Sequence, residues 1–207
     1  MVETPVPPTR RLKYHEVNKQ IQTGDLFLFR GNYESSKIFE TLTHAFYSHA
    51  TIVAWWHERL MILQAEGPGI QAIPLSVAVS QYPGRADWYR LRRDTIPEVD
   101  TKLKAVMAEA KADLGLPFGV LDLIKGLLRW GRNVKLTEPV WPRGMFCSEY
   151  VERCFRTGGM SLTGKTDVIS FPKDVAVSPL IEYMATIEHD PAHTDARTVD
   201  DVPEGKV

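Results

Sequence analysis

With 207 residues the chain is long enough for one domain with a substantial core, or at most two small ones. Hydrophobic residues make up 43% and charged residues 25%, an ordinary globular balance, and the formal net charge of -1 gives no global field directed at nucleic acid or an anionic membrane. Met1 to Arg11 is polar and proline-rich without the apolar core of a signal peptide, and no later stretch is long enough to span a bilayer, so the expectation is a cytoplasmic protein with no stable membrane insertion.

Residues 1–14 read as a flexible arm. Thr23-Gly24-Asp25 then opens an apolar run, Leu26-Phe27-Leu28-Phe29, that predicts a short buried strand. Ser35 to Phe46 carries Ile38, Phe39, Leu42 and Phe46 at helical spacing, with Ser35 or Ser36 as cap. From His49 the pattern turns strand-like. Ala50 to Trp56 forms one strand, His57-Glu58-Arg59 a turn, Leu60 to Ala65 a second strand, and Ile70 to Pro74 a third after Glu66-Gly67-Pro68-Gly69. Tight turns between them predict an antiparallel meander, and Trp88 to Leu91 reads as a fourth strand.

Pro97 to Leu114 is the clearest helix, with an apolar stripe from Val99 through Leu103, Val106, Met107, Ala110 and Leu114. Phe118 to Trp130 predicts a shorter helix whose apolar face packs on the sheet, or meets lipid weakly through Lys125, Arg129 and Arg132. A Pro/Gly-rich loop from Thr137 to Gly144 leads to Cys147, and Ser148 to Phe155 reads as a helix ending at Gly158-Gly159. The stretch 189–207 is polar and short of apolar residues, which predicts a disordered tail. Residues 15–188 are therefore expected to form a single α+β domain.

Only two cysteines are present. On one helix Cys147 and Cys154 would lie about 10 Å apart at Cα, beyond the roughly 7 Å a disulfide spans, so both are expected to be free thiols. Cys154 fits an inert core role. Cys147 opens a predicted helix, where the dipole favours a thiolate and free N–H groups suit a developing oxyanion. His49 stands where a loop enters a strand. With the turn at residues 57–59, cross-strand partners sum to about 116, which puts Glu66 opposite Ala50 and within reach of the His49 imidazole. Singly, each residue has a blander account: core thiol, structural histidine, solvated turn carboxylate. A metal site at His189 and His193 is disfavoured by Pro191, and Arg85, Arg90, Arg92 and Arg93 read as solvated surface, with an anionic substrate group as a lesser alternative.

Four segments occur in order: Gly24-Asp25-Leu26, Ser48-His49-Ala50-Thr51-Ile52-Val53, Ala65-Glu66, and Phe146-Cys147-Ser148-Glu149-Tyr150-Val151. Together they resemble the circularly permuted branch of the NlpC superfamily of papain-like cysteine hydrolases, in which histidine and acid precede the cysteine. Gly115-Leu116-Pro117-Phe118 resembles that family's Gly-x-Pro-Tyr element, and Ser170-Phe171-Pro172-Lys173-Asp174 its closing proline motif. The resemblance spans roughly Gly24 to Leu180. It implies an antiparallel sheet packed against helices, with the nucleophile at a helix N-terminus. Cys147 would be nucleophile, His49 general base and Glu66 third member of the triad, while Asp25 braces the fold. Ser48, Ser148, Tyr150 and Phe118 would be substrate-binding positions, Tyr150 supplying the hydroxyl that Phe118 lacks. The implied reaction is cleavage of an amide bond through a thioester, on small peptides such as cell-wall fragments, with no metal and no cofactor. A lipid-directed thioesterase or acyltransferase, and a silent binding module of the same fold, are the alternatives. Oligomeric state is not legible.

Overall fold

The computed structural model describes residues 10–31, 46–66, 69–116, 147–164 and 170–189. The predicted helix over 35–46, apart from Phe46, lies outside them, as do Phe118, the predicted helix over 118–130, and the tail beyond His189.

Seven strands among these residues form one sheet: β1 (Arg11–Lys13), β2 (Leu26–Arg30), β3 (His49–Trp56), β4 (Arg59–Glu66), β5 (Gly69–Pro74), β6 (Arg85–Leu91) and β7 (Ile181–Glu188). Their spatial order is β1-β7-β6-β2-β3-β4-β5. The sheet is mixed rather than purely antiparallel, because β1 runs parallel to β7, pairing Arg11 with Thr186. The arm expected over residues 1–14 is thereby corrected at its inner end. Residues 11–13 form an edge strand, held by the β7 ladder, and α1 (Tyr14–Val17) follows directly.

Both faces of the sheet are covered, which is why β2 reads as a continuous apolar run rather than an alternation. Leu26 and Leu28 face a core shared with α3 (Val99–Ala112) and α4 (Cys147–Thr157), through Leu103, Val106, Tyr150, Val151 and Phe155. Phe27 and Phe29 face a second core with Val17, Ile21 and α2 (Leu75–Gln81). Both rings are essentially fully buried, each burial being worth roughly 2–3 kcal/mol, so β2 is pinned in register between β6 and β3. A short α5 (Pro172–Ala176) follows the closing proline.

The β3–β4 hairpin turns on two residues rather than three. Trp56 pairs with Arg59, and His57 takes a positive φ of 55°, as the first residue of a tight hairpin turn often must. Cross-strand partners therefore follow Ile52↔Leu63, one residue out of step with the register expected from the sequence. The pairing stops there, although β3 continues back to His49 and β4 on to Glu66. On its far side β3 stays paired with β2 to Phe29↔His49, and β4 with β5 to Glu66↔Gly69. The sheet thus parts between the two strand ends that carry His49 and Glu66.

α4 is seated over this opening by several ties. Tyr150 Oη donates to the Ala110 carbonyl at 2.9 Å, and Arg153 bridges Glu109 at 2.6 Å and Asp113 at 3.0 Å. At the other end, a Cβ on Gly158 would lie 2.6 Å from the Lys102 carbonyl oxygen, so only glycine allows α4 to close on α3. The Glu152 carboxylate accepts from the Leu162 and Thr163 amides at 3.0 Å each and fixes the chain that leaves the helix.

Candidate active site

Cys147 is the first described residue of α4 and His49 the first of β3, and the sulfur faces the imidazole closely enough for each to shift the other's titration. The backbone amides of Ala50 and Ser148 also favour negative charge on the sulfur. Cys147 is partly exposed, and Cys154 is buried deeper in the same helix; both are free thiols. The Phe29 ring lies 5.8 Å from the imidazole and walls it from the second core. Ser48 holds the backbone before His49, its amide donating to the Phe29 carbonyl at 2.9 Å.

Charge in this pair is favoured against its surroundings. Burial opposes the thiolate, but the facing imidazole and its hydrogen bond, then the two backbone amides, hold the Cys147 thiol below its usual value. Burial likewise opposes the imidazolium. The Cys147 sulfur outweighs it, helped by the Glu66 charge and the bond to Gln64, and lifts His49 to about 9. The two groups titrate as a pair, and each favours the charged form of the other, a thiolate facing an imidazolium. Such a thiolate can attack an electrophilic carbon, and the imidazolium can return a proton to a leaving group. First-turn N–H groups of a helix lack intrahelical acceptors and suit the negative charge that develops in such an attack.

The residue that touches His49 on its other side is Gln64. Its Oε1 lies 2.9 Å from His49 Nε2, and its Nε2 donates to Glu66 Oε2 at 3.0 Å. Glu66 therefore reaches the imidazole through an intervening amide, not directly as the sequence reading had it. Gln64 and Glu66 alternate onto one face of β4, and the parted strand ends leave room for the Gln64 side chain to cross to His49. The sequence reading missed Gln64. The signal was a lone amide in an otherwise apolar strand (LMILQA), two residues from Glu66 and so on its face.

Two other expected positions lie elsewhere. Tyr150 is wholly buried, its hydroxyl committed to α3, so it does not replace the hydroxyl absent at Phe118. Ser148 is also buried, and its hydroxyl donates to the Ser170 carbonyl at 2.5 Å, tying α4 to the chain before α5 rather than facing a ligand. Ser48 is half-buried beside His49, with Oγ 3.0 Å from the Tyr82 hydroxyl. Asp25 is fully buried and accepts from the Trp88 indole at 2.8 Å and the Gln22 amide at 2.9 Å, with Arg90 at 3.7 Å. Three arginines of the basic cluster serve the fold: Arg90 at Asp25, Arg92 at the Ile181 carbonyl, and Arg93 at Asp100.

No protein-family model matches the chain, and no curated protein matches it. Among solved structures it is similar to the metalloprotein YiiX (DUF1105) of Escherichia coli O157:H7, at 19% identity and a TM-score of 0.59, over 81% of this chain and 98% of that one. The likeness establishes a common α+β fold with a mixed sheet and carries no chemistry across. Among the described residues of this chain, no group of three or more His, Cys, Asp or Glu converges as metal ligands would. No helix among them is long and apolar enough to cross a membrane.

Proposed function

We propose that the chain is a thiol hydrolase of papain-like design, in the circularly permuted arrangement that its ordered motifs resemble. The observation that carries this reading is the run His49–Gln64–Glu66, hydrogen-bonded in series, with the Cys147 sulfur facing the imidazole at the parted strand ends. A core cysteine needs no imidazole opposite it, and a structural histidine needs no thiolate.

In the proposed reaction the Cys147 thiolate adds to the carbonyl carbon of an amide, and N–H groups of the first turn of α4 hold the oxyanion. The intermediate collapses as the imidazolium of His49 gives its proton to the leaving nitrogen, which leaves a thioester. Water, deprotonated by the now neutral imidazole, then attacks the thioester, releasing the carboxylic acid and regenerating the thiolate–imidazolium pair. No cofactor enters these steps. Small peptides, cell-wall fragments among them, are the proposed substrates, and acyl lipids the competing class.

The test is the alkylation rate of Cys147 against pH, in the native protein and in His49→Ala, followed by a panel of peptide amides set against acyl esters. Rapid labelling near pH ~6 that is lost with His49 supports the reading, since an ordinary thiol titrates near ~8.5. Labelling that follows an ordinary thiol in both proteins overturns it in favour of a silent binding module. Ester turnover without amide turnover moves the substrate to lipids.

A further inference from the structure

The direction of the bond between Gln64 and His49 is fixed by a residue that does not touch the ring. An amide side chain offers an acceptor at one end and donors at the other, and a neutral imidazole can carry its proton on either nitrogen. Gln64 is bonded at both ends, to His49 at 2.9 Å and to Glu66 at 3.0 Å. A carboxylate only accepts, so Glu66 requires the NH2 end of Gln64. The carbonyl end is left for His49, and because it also only accepts, His49 Nε2 must be the protonated nitrogen. Nδ1 then remains for the Cys147 sulfur.

We propose that Glu66 and Gln64 form an orientation lock, in which the carboxylate sets the amide, the amide sets the imidazole tautomer, and Nδ1 is thereby reserved for the thiol. Both are positioning residues. The proposal deepens the thiol-hydrolase reading and rests on it for its use, while the lock itself is open to measurement without any substrate.

The competing account is that Glu66 acts by charge through space. That charge helps lift His49, but a charge at a distance does not select which nitrogen of the neutral ring holds the proton. Glu66 ends β4 exposed, where water and salt screen its charge, whereas Gln64 is only 2% exposed and meets the ring by a direct hydrogen bond. The lock is also needed after the proton moves. An imidazolium presents N–H at both nitrogens, so the amide carbonyl stabilises it and a reversed amide, pointing NH2 at Nε2–H, opposes it.

The experiment inverts the lock. In Glu66→Lys an ammonium, which only donates, draws the Gln64 carbonyl to itself and turns the NH2 end toward His49. In a Cys147→Ala background, where His49 can be observed neutral, 15N spectra of the imidazole should show Nε2–H with Glu66 and Nδ1–H with Lys at that position. With Cys147 present, E66K should slow thiol alkylation at pH ~6 by at least about tenfold, corresponding to about 1.4 kcal/mol. The double variant Gln64→Glu/Glu66→Lys should restore both the Nε2–H tautomer and the labelling rate, because a carboxylate at 64 accepts whichever way it turns. An E66K protein that keeps Nε2–H overturns the lock. So does a loss of labelling that ~0.5 M salt erases, since that is the signature of charge alone. Recovery in the double variant also shows that any loss in E66K is not misfolding. A tautomer that inverts in a protein that hydrolyses nothing would leave the lock standing and fail only the hydrolase reading.

Discussion

Cys147 and Cys154 stand about two turns apart on one helix and end in opposite chemical states. At the first turn the sulfur meets an imidazole and two backbone amides, and its thiol is held below the usual value. Two turns on, Cys154 is fully buried against α3, and burial, reinforced by the nearby Asp113, pushes its thiol up to about 12. Burial acts in the same direction on both. What separates them is the charge each one faces: a cation across the parted sheet for Cys147, carboxylates along α3 for Cys154. Position on a helix and the facing group, more than residue type, distinguish a reactive thiol from a packing one.

The sharpest way to break this comparison is to exchange the fates of the two thiols. Cys147→Ala is expected to abolish hydrolysis and all fast labelling while moving the melting temperature by no more than about 2 °C, because the side chain is partly exposed. Activity retained in that variant would end the proposed mechanism. Removing the facing cation comes next. At pH ~6 His49→Ala should slow Cys147 labelling by roughly two orders of magnitude, as only about 0.3% of an ordinary thiol is ionised there.

A pH profile sharpens the same contrast. On the acid side turnover falls as the Cys147 thiolate takes up a proton, at a pH below the ordinary thiol range. On the alkaline side it falls through about 9, where His49 loses the proton it must donate. A single limb near an ordinary thiol pKa would remove the pair. Tyr150→Phe tests the neighbouring helix face, and should cost about 1–2 kcal/mol of stability through the bond lost to the Ala110 carbonyl, with labelling unchanged.

Cys154→Ala is the smallest expected effect, about 1 kcal/mol in denaturant melts. It carries a pH signature of its own. The unfolded thiol ionises near 9 and the folded one near 12, so the native protein's advantage from this site is intact below 9 and declines toward 12. The variant should lack that contribution to the decline.

The contrast between the cysteines could be read from the sequence because each sits in a distinctive local context: one after a Pro/Gly loop at a helix start, the other mid-helix. The strands from Leu26 and from His49, and the helix with Leu103, Val106 and Ala110, were likewise legible from apolar spacing. The register of the β3–β4 hairpin was not. A three-residue turn at 57–59 places Glu66 opposite Ala50, whereas the turn made with His57 at positive φ shifts every partner by one and so exchanges faces. Gln64 escaped notice for a related reason, since its role appears only once the strands are seen to part. The edge pairing of Arg11–Lys13 with β7 depends on residues some 175 positions apart, and no local pattern announces it. Ser148 and Tyr150, expected as substrate-binding positions, bond within the fold instead, because sequence spacing gives a helix face but not the neighbour that occupies it.

That parallel edge pair also orders events during synthesis. β2 through β5 can pair with one another as soon as they emerge, but β6 cannot gain its outer neighbour, nor β1 any partner at all, until residues 181–188 have left the ribosome. Loop closure over most of the chain therefore comes last. A nascent chain stalled just after α4 would already hold both His49 and Cys147, with the outer edge of β6 still bare. The half of the sheet that bears His49 and Glu66 is the half that can assemble early, and the opposite edge waits for β7.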